Sequence, residues 1–355
     1  MNRLRREEYQ VCWLCPLPIE RTAAEAMLDE THAPLPNNTI DSNIYTLGRM
    51  GVHNIAIAGL PAGSPIDTAI AATHMRYAFP AMRVLLLVGI GGGVPSESID
   101  IRLGDIVVSC PDGVYGGVVQ VDRGKTVSAS VHEDLFEIKG ALNQPPVQLL
   151  NAVNALWAKH SRLGRFVKPD FVEFLETAAH KTPRLNARYQ GAHKDRLFKA
   201  CYTHVLNEPT CRMCDVKQVI SRSPRRNNEP RIHFGLIASA NNVRKDALTR
   251  DKLGKKLNIL CFEMEAAGVM NNFQCLVIRG ISDYADSHKN DKWQPYAAFA
   301  AAAYAKEVLT LLPVEEVAGT KTVQQHELLP VEEVAGTTFV SNTMKVYSIL
   351  ASGTF

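Results

Sequence analysis

Apolar residues along the chain gather in short, nearly unbroken runs: VCWLC (11–15), NIAIAGL (54–60), VLLLVGIGGG (84–93), DIVVSC (105–110), IHFGLIAS (232–239) and CLVIRGISD (275–283). Most are apolar at successive rather than alternate positions, the pattern of strands covered on both faces. Stretches with helical character lie between them. IERTAAEAMLDE (19–30) follows the first run, SPIDTAIAATHMRYAF (64–79) the second, and FEMEAAGVMNNF (262–273) precedes the last. YAAFAAAAYAKEVLTLL (296–312) closes the series with a small-residue face suited to close packing. This alternation predicts a single α/β domain with a central mixed, largely parallel sheet flanked by helices. In such sheets ligands sit at the carboxyl ends of the strands, where Asp283 falls.

Two stretches break the pattern. Residues 155–230 are richer in Arg, Lys, His and Pro and read as an insertion with short helices, including DFVEFLETAAH (170–180). Within it, SRSPRRNNEPR (221–231) reads as an exposed loop. After Leu312, LLPVEEVAGT at 311–320 returns unchanged at 328–337. Two copies are too few for a solenoid. The expected organisation is a domain over 8–313 and a linker or tail over 314–355.

Composition narrows the class. A chain of 355 residues with 46% hydrophobic content can bury a substantial core. The net charge of +3 is scattered, which argues against a nucleic-acid or membrane partner. No window reaches the roughly 18 apolar residues of a spanning helix. The opening MNRLRREEYQ leads into VCWLCPLPIE, whose two prolines suit a strand and turn rather than a secretory signal. Eight cysteines without regular spacing fit a reducing, cytoplasmic setting.

Four stretches carry candidate chemistry, each with an ordinary structural alternative. VGIGGGVP (88–95) sets Gly91, Gly92 and Gly93 after a strand, where positive φ or close approach to a ligand is available; a tight structural turn is the alternative. CFEMEAAGVM (261–270) places Glu263 and Glu265 around Met264 before a small-residue helix. Buried acids need donors, and sugar hydroxyls would supply them; a solvated helix face is the alternative. Glu20 follows the first strand and a Pro-x-Pro turn, where an acid also complements a helix amino terminus. Asp283 ends the last strand, either as a cap or turn aspartate or as a buried general acid.

Taken in order, these stretches, with LGDIVVS (103–109), FEMEAAG and IRGISDYAD the most specific, resemble the nucleoside phosphorylase and nucleosidase superfamily. That superfamily includes hexameric-type purine nucleoside phosphorylases, uridine phosphorylases and methylthioadenosine/S-adenosylhomocysteine nucleosidases. The resemblance covers roughly 10–115 and 230–312. It is closest to nucleosidase-like domains of fungal proteins, which often precede a signalling NTPase or repeat array. It implies that Met264 lies under a ribose whose 2′ and 3′ hydroxyls donate to Glu265. Asp283 would protonate purine N7, and Glu20 would orient a water or a ribose hydroxyl. Ile90, Gly91 and Gly92 would flank the ribose and the nucleophile. A positioned acid of this kind contributes about 10²–10⁴-fold, and an anionic Glu265 favours a cation-like ribosyl transition state.

Departures from the pattern refine the expectation. Leu87 and Ile90 stand where phosphorylases hold phosphate with an arginine and a serine, so water is the expected nucleophile. Asn241 and Val243 replace the acid and the stacking aromatic that follow IAS in nucleosidases, leaving base selectivity open. Arg244–Lys245 or residues 123–125 would meet a 5′-phosphate if the substrate were a nucleotide; a solvated pair is the alternative at 244–245. Cys211-x-x-Cys214 has zinc-ligand spacing and follows His193, Cys201 and His204, but no second C-x-x-C or H-x₃₋₅-H accompanies it. Cys12-x-x-Cys15 falls on a core strand, where cysteines pack as small apolar residues. The expectation is therefore metal-free and cofactor-free hydrolysis of a purine ribonucleoside by a homo-oligomer. A nucleotide nucleosidase, a phosphorylase and a non-catalytic sensing module are the alternatives.

Overall fold

The computed structural model describes residues 3–313, apart from 37–40, 62, 131–132, 165–166, 209 and 242–244. The tail expected over 314–355, with most of the duplicated segment, lies outside the described residues. Among the described residues the strands are β1 (Val11–Cys15), β2 (Glu30–Thr31), β3 (Tyr45–Met50), β4 (His53–Gly59), β5 (Val84–Gly93), β6 (Ile106–Ser109), β7 (Val118–Gln120), β8 (Gly124–Ser130), β9 (Glu133–Ile138), β10 (Ile232–Ser239), β11 (Ile259–Glu263) and β12 (Leu276–Asp283). The α-helices are α1 (Pro18–Ala26), α2 (Pro65–Ala78), α3 (Val147–Ser161), α4 (Asp170–Lys181), α5 (Ala247–Leu257), α6 (Met270–Phe273) and α7 (Gln294–Thr310).

The main sheet runs β11-β10-β6-β12-β5-β1-β4-β3-β2, with β7 paired to β10. Its centre is parallel: β12 with β5, β5 with β1, and β1 with β4. Antiparallel pairs join β12 to β6 and β3 to β4. β11 also meets the end of β5, Cys261 opposite Gly93 and Phe262 opposite Gly92. The pairings β5–β12–β6–β10–β11–β5 therefore close on themselves. β8 and β9 form a separate hairpin.

The apolar runs explain the centre. Every residue of β1 and β12 is buried, as two-sided strands require. Helix α7 lies against β12 and β5, and its residues 296–309 are buried throughout. Alanines at 297, 298, 300–303 and 305 permit that closeness. So does Gly280, since a Cβ there would collide with the Ala297 carbonyl oxygen. Helix α2 starts where Ser64 Oγ accepts from Asp67 N at 3.1 Å, with Pro65 in the first turn.

Two expectations are corrected. The stretch 262–273 is not one helix: β11 runs through Glu263, and a single 3₁₀ turn (Ala266–Gly268) precedes the four-residue α6. All five residues of β11, Ile259 to Glu263, are buried, so two-sided burial prevails over helix propensity. The 221–231 segment is a largely exposed loop, as expected, and two of its arginines anchor it. Arg225 bonds both carboxylate oxygens of buried Asp105 at 2.5 and 2.6 Å, and Arg222 pairs with Asp195 at 2.9 Å. Finally, the irregular region from 155 begins inside α3, which starts at Val147. Helices α3 and α4 pack on α7, with the Phe171 and Tyr304 rings 6.0 Å apart and edge-on.

Candidate active site

The carboxyl ends of β1, β5 and β12 open beside a cavity of roughly 290 Å³. Of the side chains singled out in the sequence, Glu20, Ile90, Gly91, Gly92, Glu263, Met264, Glu265 and Asp283 all line it. Asn241 does not: it is exposed, and its backbone and side-chain N–H groups donate to Asp122 Oδ2, each at 2.7 Å. Val243 and Arg244 lie outside the described residues. Lys245, Arg123 and Lys125 are exposed and do not line the cavity. Leu87, at the position of the phosphorylase arginine, is fully buried within β5.

Glu20 is held at both oxygens. Leu17 N donates to Oε2 at 2.5 Å and Ile90 N to Oε1 at 2.7 Å. The first bond satisfies a free N–H at the start of α1, so the ordinary helix role and the cavity position belong to the same carboxyl. Burial pushes Glu20 up to about 7, against the opposing pull of Arg279 and of the Ile90 and Leu17 N–H groups.

Arg279 is one residue that sequence reasoning missed. It is 1% exposed in the middle of β12, and its Nη2 donates to Glu263 Oε2 at 2.5 Å and Glu265 Oε2 at 2.9 Å. Burial works against its charge, but the carboxylates of Glu263, Glu265 and Glu20 more than offset this and hold it protonated. One cation thus pairs directly with two acids at the end of β11 and acts through its field on a third, Glu20 of α1. A lone arginine inside an otherwise apolar strand was the available signal, because a buried guanidinium demands acidic partners.

The two acids of FEMEAAG differ in position. Glu263 accepts from Glu265 N at 3.0 Å and Ala266 N at 2.9 Å as well as from Arg279, so its carboxylate is satisfied within the protein. It fixes the turn that presents Glu265 and Met264. Glu265 is 6% exposed, and burial raises its pKa while Arg279 lowers it, the net direction being up. Asp283 Oδ1 accepts from Ala285 N at 2.9 Å; its Oδ2 accepts from Ser282 Oγ at 3.0 Å and stands 3.2 Å from Lys289 Nζ. Lys289, also on the cavity wall, was not anticipated.

The glycines do not supply positive φ. None of Gly91, Gly92 and Gly93 has it; they are extended and paired within β5. Gly92 serves close approach instead. A Cβ there would stand 2.8 Å from Asp283 Oδ1 and 2.9 Å from Ala285 Cβ.

The chain is 43% identical over 310 residues to a "Nucleotide-binding leucine-rich repeat (NLR)-like protein" of Hyaloscypha variabilis. That match takes in 87% of this chain but only 30% of the relative's length. It is 22% identical over 306 residues to the 5'-methylthioadenosine/S-adenosylhomocysteine nucleosidase of Mycobacterium tuberculosis, covering 85% of this chain and 96% of that enzyme. Among solved structures, that of the Neisseria meningitidis 5'-methylthioadenosine/S-adenosylhomocysteine nucleosidase in complex with methylthio-immucillin-A superposes with a TM-score of 0.53. Identity is 14%, over 85% of this chain and 98% of that one. The fold is that of the nucleoside phosphorylase and nucleosidase superfamily. No family model matches the chain. Within this nucleosidase-type fold, the cavity lies where open α/β sheets place their ligands.

The Glu20 carboxyl gives a pH signature. Its folded pKa of about 7 lies above the ordinary value of about 4.3 expected when unfolded. Between those values the folded chain keeps a proton that the unfolded chain has lost, so this group makes stability fall as pH rises from about 4 to 7. The full effect is on the order of 3 kcal/mol. In Glu20→Gln one of the two N–H bonds is lost at every pH, but the pH-dependent part should vanish. Melting temperatures of both proteins at pH 5 and pH 8 check this. An equal fall in the two would show that Glu20 is not the group responsible.

Proposed function

We propose that this domain hydrolyses the N-glycosidic bond of a purine ribonucleoside, releasing free base and ribose. The convergence of Glu20, Glu265 and Asp283 on one cavity carries the reading. Bond breaking leaves electron deficiency at C1′ and negative charge on the base. Asp283, at the β12 end of the cavity, protonates N7 of the leaving purine. Glu265 accepts the ribose hydroxyls and, once ionised, stabilises the cation-like sugar over Met264. Glu20, with a pKa near neutrality, is suited to accept a proton from the attacking water. Phe262 adds an apolar wall for the base.

Water is favoured over phosphate as the nucleophile by what surrounds Glu20. Leu17 and Ile90 line that side, and Arg279 is committed to carboxylates. A phosphate dianion requires charge-assisted donors. The test is incubation with a panel of purine nucleosides and 5′-substituted nucleosides, with and without inorganic phosphate. Free base and ribose should form at a rate indifferent to phosphate; strict phosphate dependence with ribose 1-phosphate as product would overturn the reading. The similarity to part of an NLR-like protein favours a second reading, a nucleoside-sensing module. Binding without any turnover across the panel would select it.

A further inference from the structure

A second constellation lies outside the cavity just described. Residues 197–220 leave the body of the fold and return to it, and a short ladder closes their base. Phe198 bridges Val219, Lys199 N donates to Gln218 O, and Ile220 N donates to Leu197 O. This excursion has its own small apolar cluster, whose buried members are Phe198, Cys211 and Cys214. Such a core is too small to order some twenty residues, and chain segments of this kind commonly rely on a staple.

The ligating atoms of His204, Cys211 and Cys214 all lie within 4.8 Å of one another. Two sulfurs and a nitrogen on one tetrahedral zinc stand about 3.5–3.8 Å apart, so little contraction is needed. His204 Nδ1 donates to the Val205 carbonyl at 2.8 Å, which leaves Nε2 as the lone-pair atom. This is how metal-bound imidazoles are commonly held.

A separate observation points to a ligand at the same place. His288 is 6% exposed, and neither ring nitrogen has a hydrogen-bond partner. Asp286 Oδ2 stands 3.8 Å from Nδ1, beyond hydrogen-bond reach, and leaving a buried imidazole without a hydrogen bond is costly. Its ring stacks on Phe198 at 4.0 Å and lies edge-on to His204 with centroids 5.4 Å apart. Two imidazoles sharing one tetrahedral zinc have centroids about 5 Å apart.

We propose that His204, Cys211 and Cys214 bind one zinc ion, with His288 as the fourth ligand. Thiolate and imidazole donors in a tetrahedral arrangement select zinc over the hard cations. Binding releases the thiol protons. The ion joins the excursion to the segment after β12, where His204 N already donates to Ser287 Oγ at 2.9 Å. Asp283 lies four residues before Ser287, so the staple fixes the strand exit that carries it. The ion takes no part in bond cleavage.

Metal analysis of the full chain, purified under reducing conditions, tests this. About one zinc per chain is expected, lost in Cys211→Ser and Cys214→Ser and retained in Cys201→Ser, whose cysteine is exposed and outside the cluster. Cobalt added to metal-stripped protein should give a thiolate-to-cobalt charge-transfer band and the intense visible bands of a tetrahedral ion, independent of any variant's folding. His288→Ala should weaken zinc affinity about 10–100-fold; unchanged affinity would remove His288 from the set. Absence of zinc uptake, an octahedral cobalt spectrum, or zinc retained in both cysteine variants would overturn the site.

Discussion

Asp283→Asn should lower kcat by about 10³-fold while changing the affinity for a nucleoside analogue by less than tenfold. The amide keeps the size of the carboxyl, and its oxygen can still accept from Ala285 N. It cannot deliver a carboxylic proton to N7. A loss of that size corresponds to about 4 kcal/mol in the barrier, within the range of general acid catalysis. Lys289 loses its partner in the variant, but its side chain is 28% exposed and the pair contributes little to folding. Melting temperature should therefore stay close to that of the parent. Turnover, analogue affinity and melting temperature together separate the outcomes. Near-normal turnover on a purine substrate would remove Asp283 as the acid, leaving it a strand-end aspartate that closes a turn.

The second large effect is expected from Arg279→Met, and it falls on the fold as well as the site. Methionine matches the length of the stem but leaves Glu20, Glu263 and Glu265 buried without their shared cation. Breaking a buried pair at one partner typically costs about 3–5 kcal/mol. In a domain of this size that lowers the melting temperature by roughly 5–8 °C. Activity should fall with it, because Glu265 loses the donor that holds its Oε2. Glu263→Gln added to Arg279→Met should recover part of the lost stability, since one uncompensated carboxylate disappears while the turn at Ala266 keeps an acceptor. A variant as stable as the parent would show that the three acids are neutral in the fold and need no cation.

These two residues also mark the limit of what the sequence discloses. Asp283 is legible because a strand built from apolar residues ends on it, and burial along β12 follows from local pattern. VLLLVGIGGG and IHFGLIAS correspond residue for residue to β5 and β10 for the same reason. The partners of Arg279 are set by chain crossings that no local period encodes: Glu263 and Glu265 reach it from the end of β11 and the following turn, with Glu20 of α1 within its field. Strand β11 was hidden because its last two residues open a segment whose alanines and methionines favour helix. Asn241, picked by its place after IAS, turns outward to Asp122. His204 and His288 are 84 positions apart in the chain, so their meeting beside Cys211 and Cys214 leaves no spacing to read.

Glu307 is fully buried on α7, and its carboxylate meets His160 Nε2 at 2.9 Å and Lys159 Nζ at 3.5 Å, both from α3. The counter-charge of the innermost helix is thus supplied by a region that no strand of the main sheet passes through. Helix and region therefore constrain each other's evolution. A descendant that shed α3 would keep a stranded anion at 307 unless that glutamate changed first, so chains with this sheet but without α3 should carry an uncharged residue there. Loss of the region would then be a two-step event with a fixed order, open to reading in the sequences of such chains.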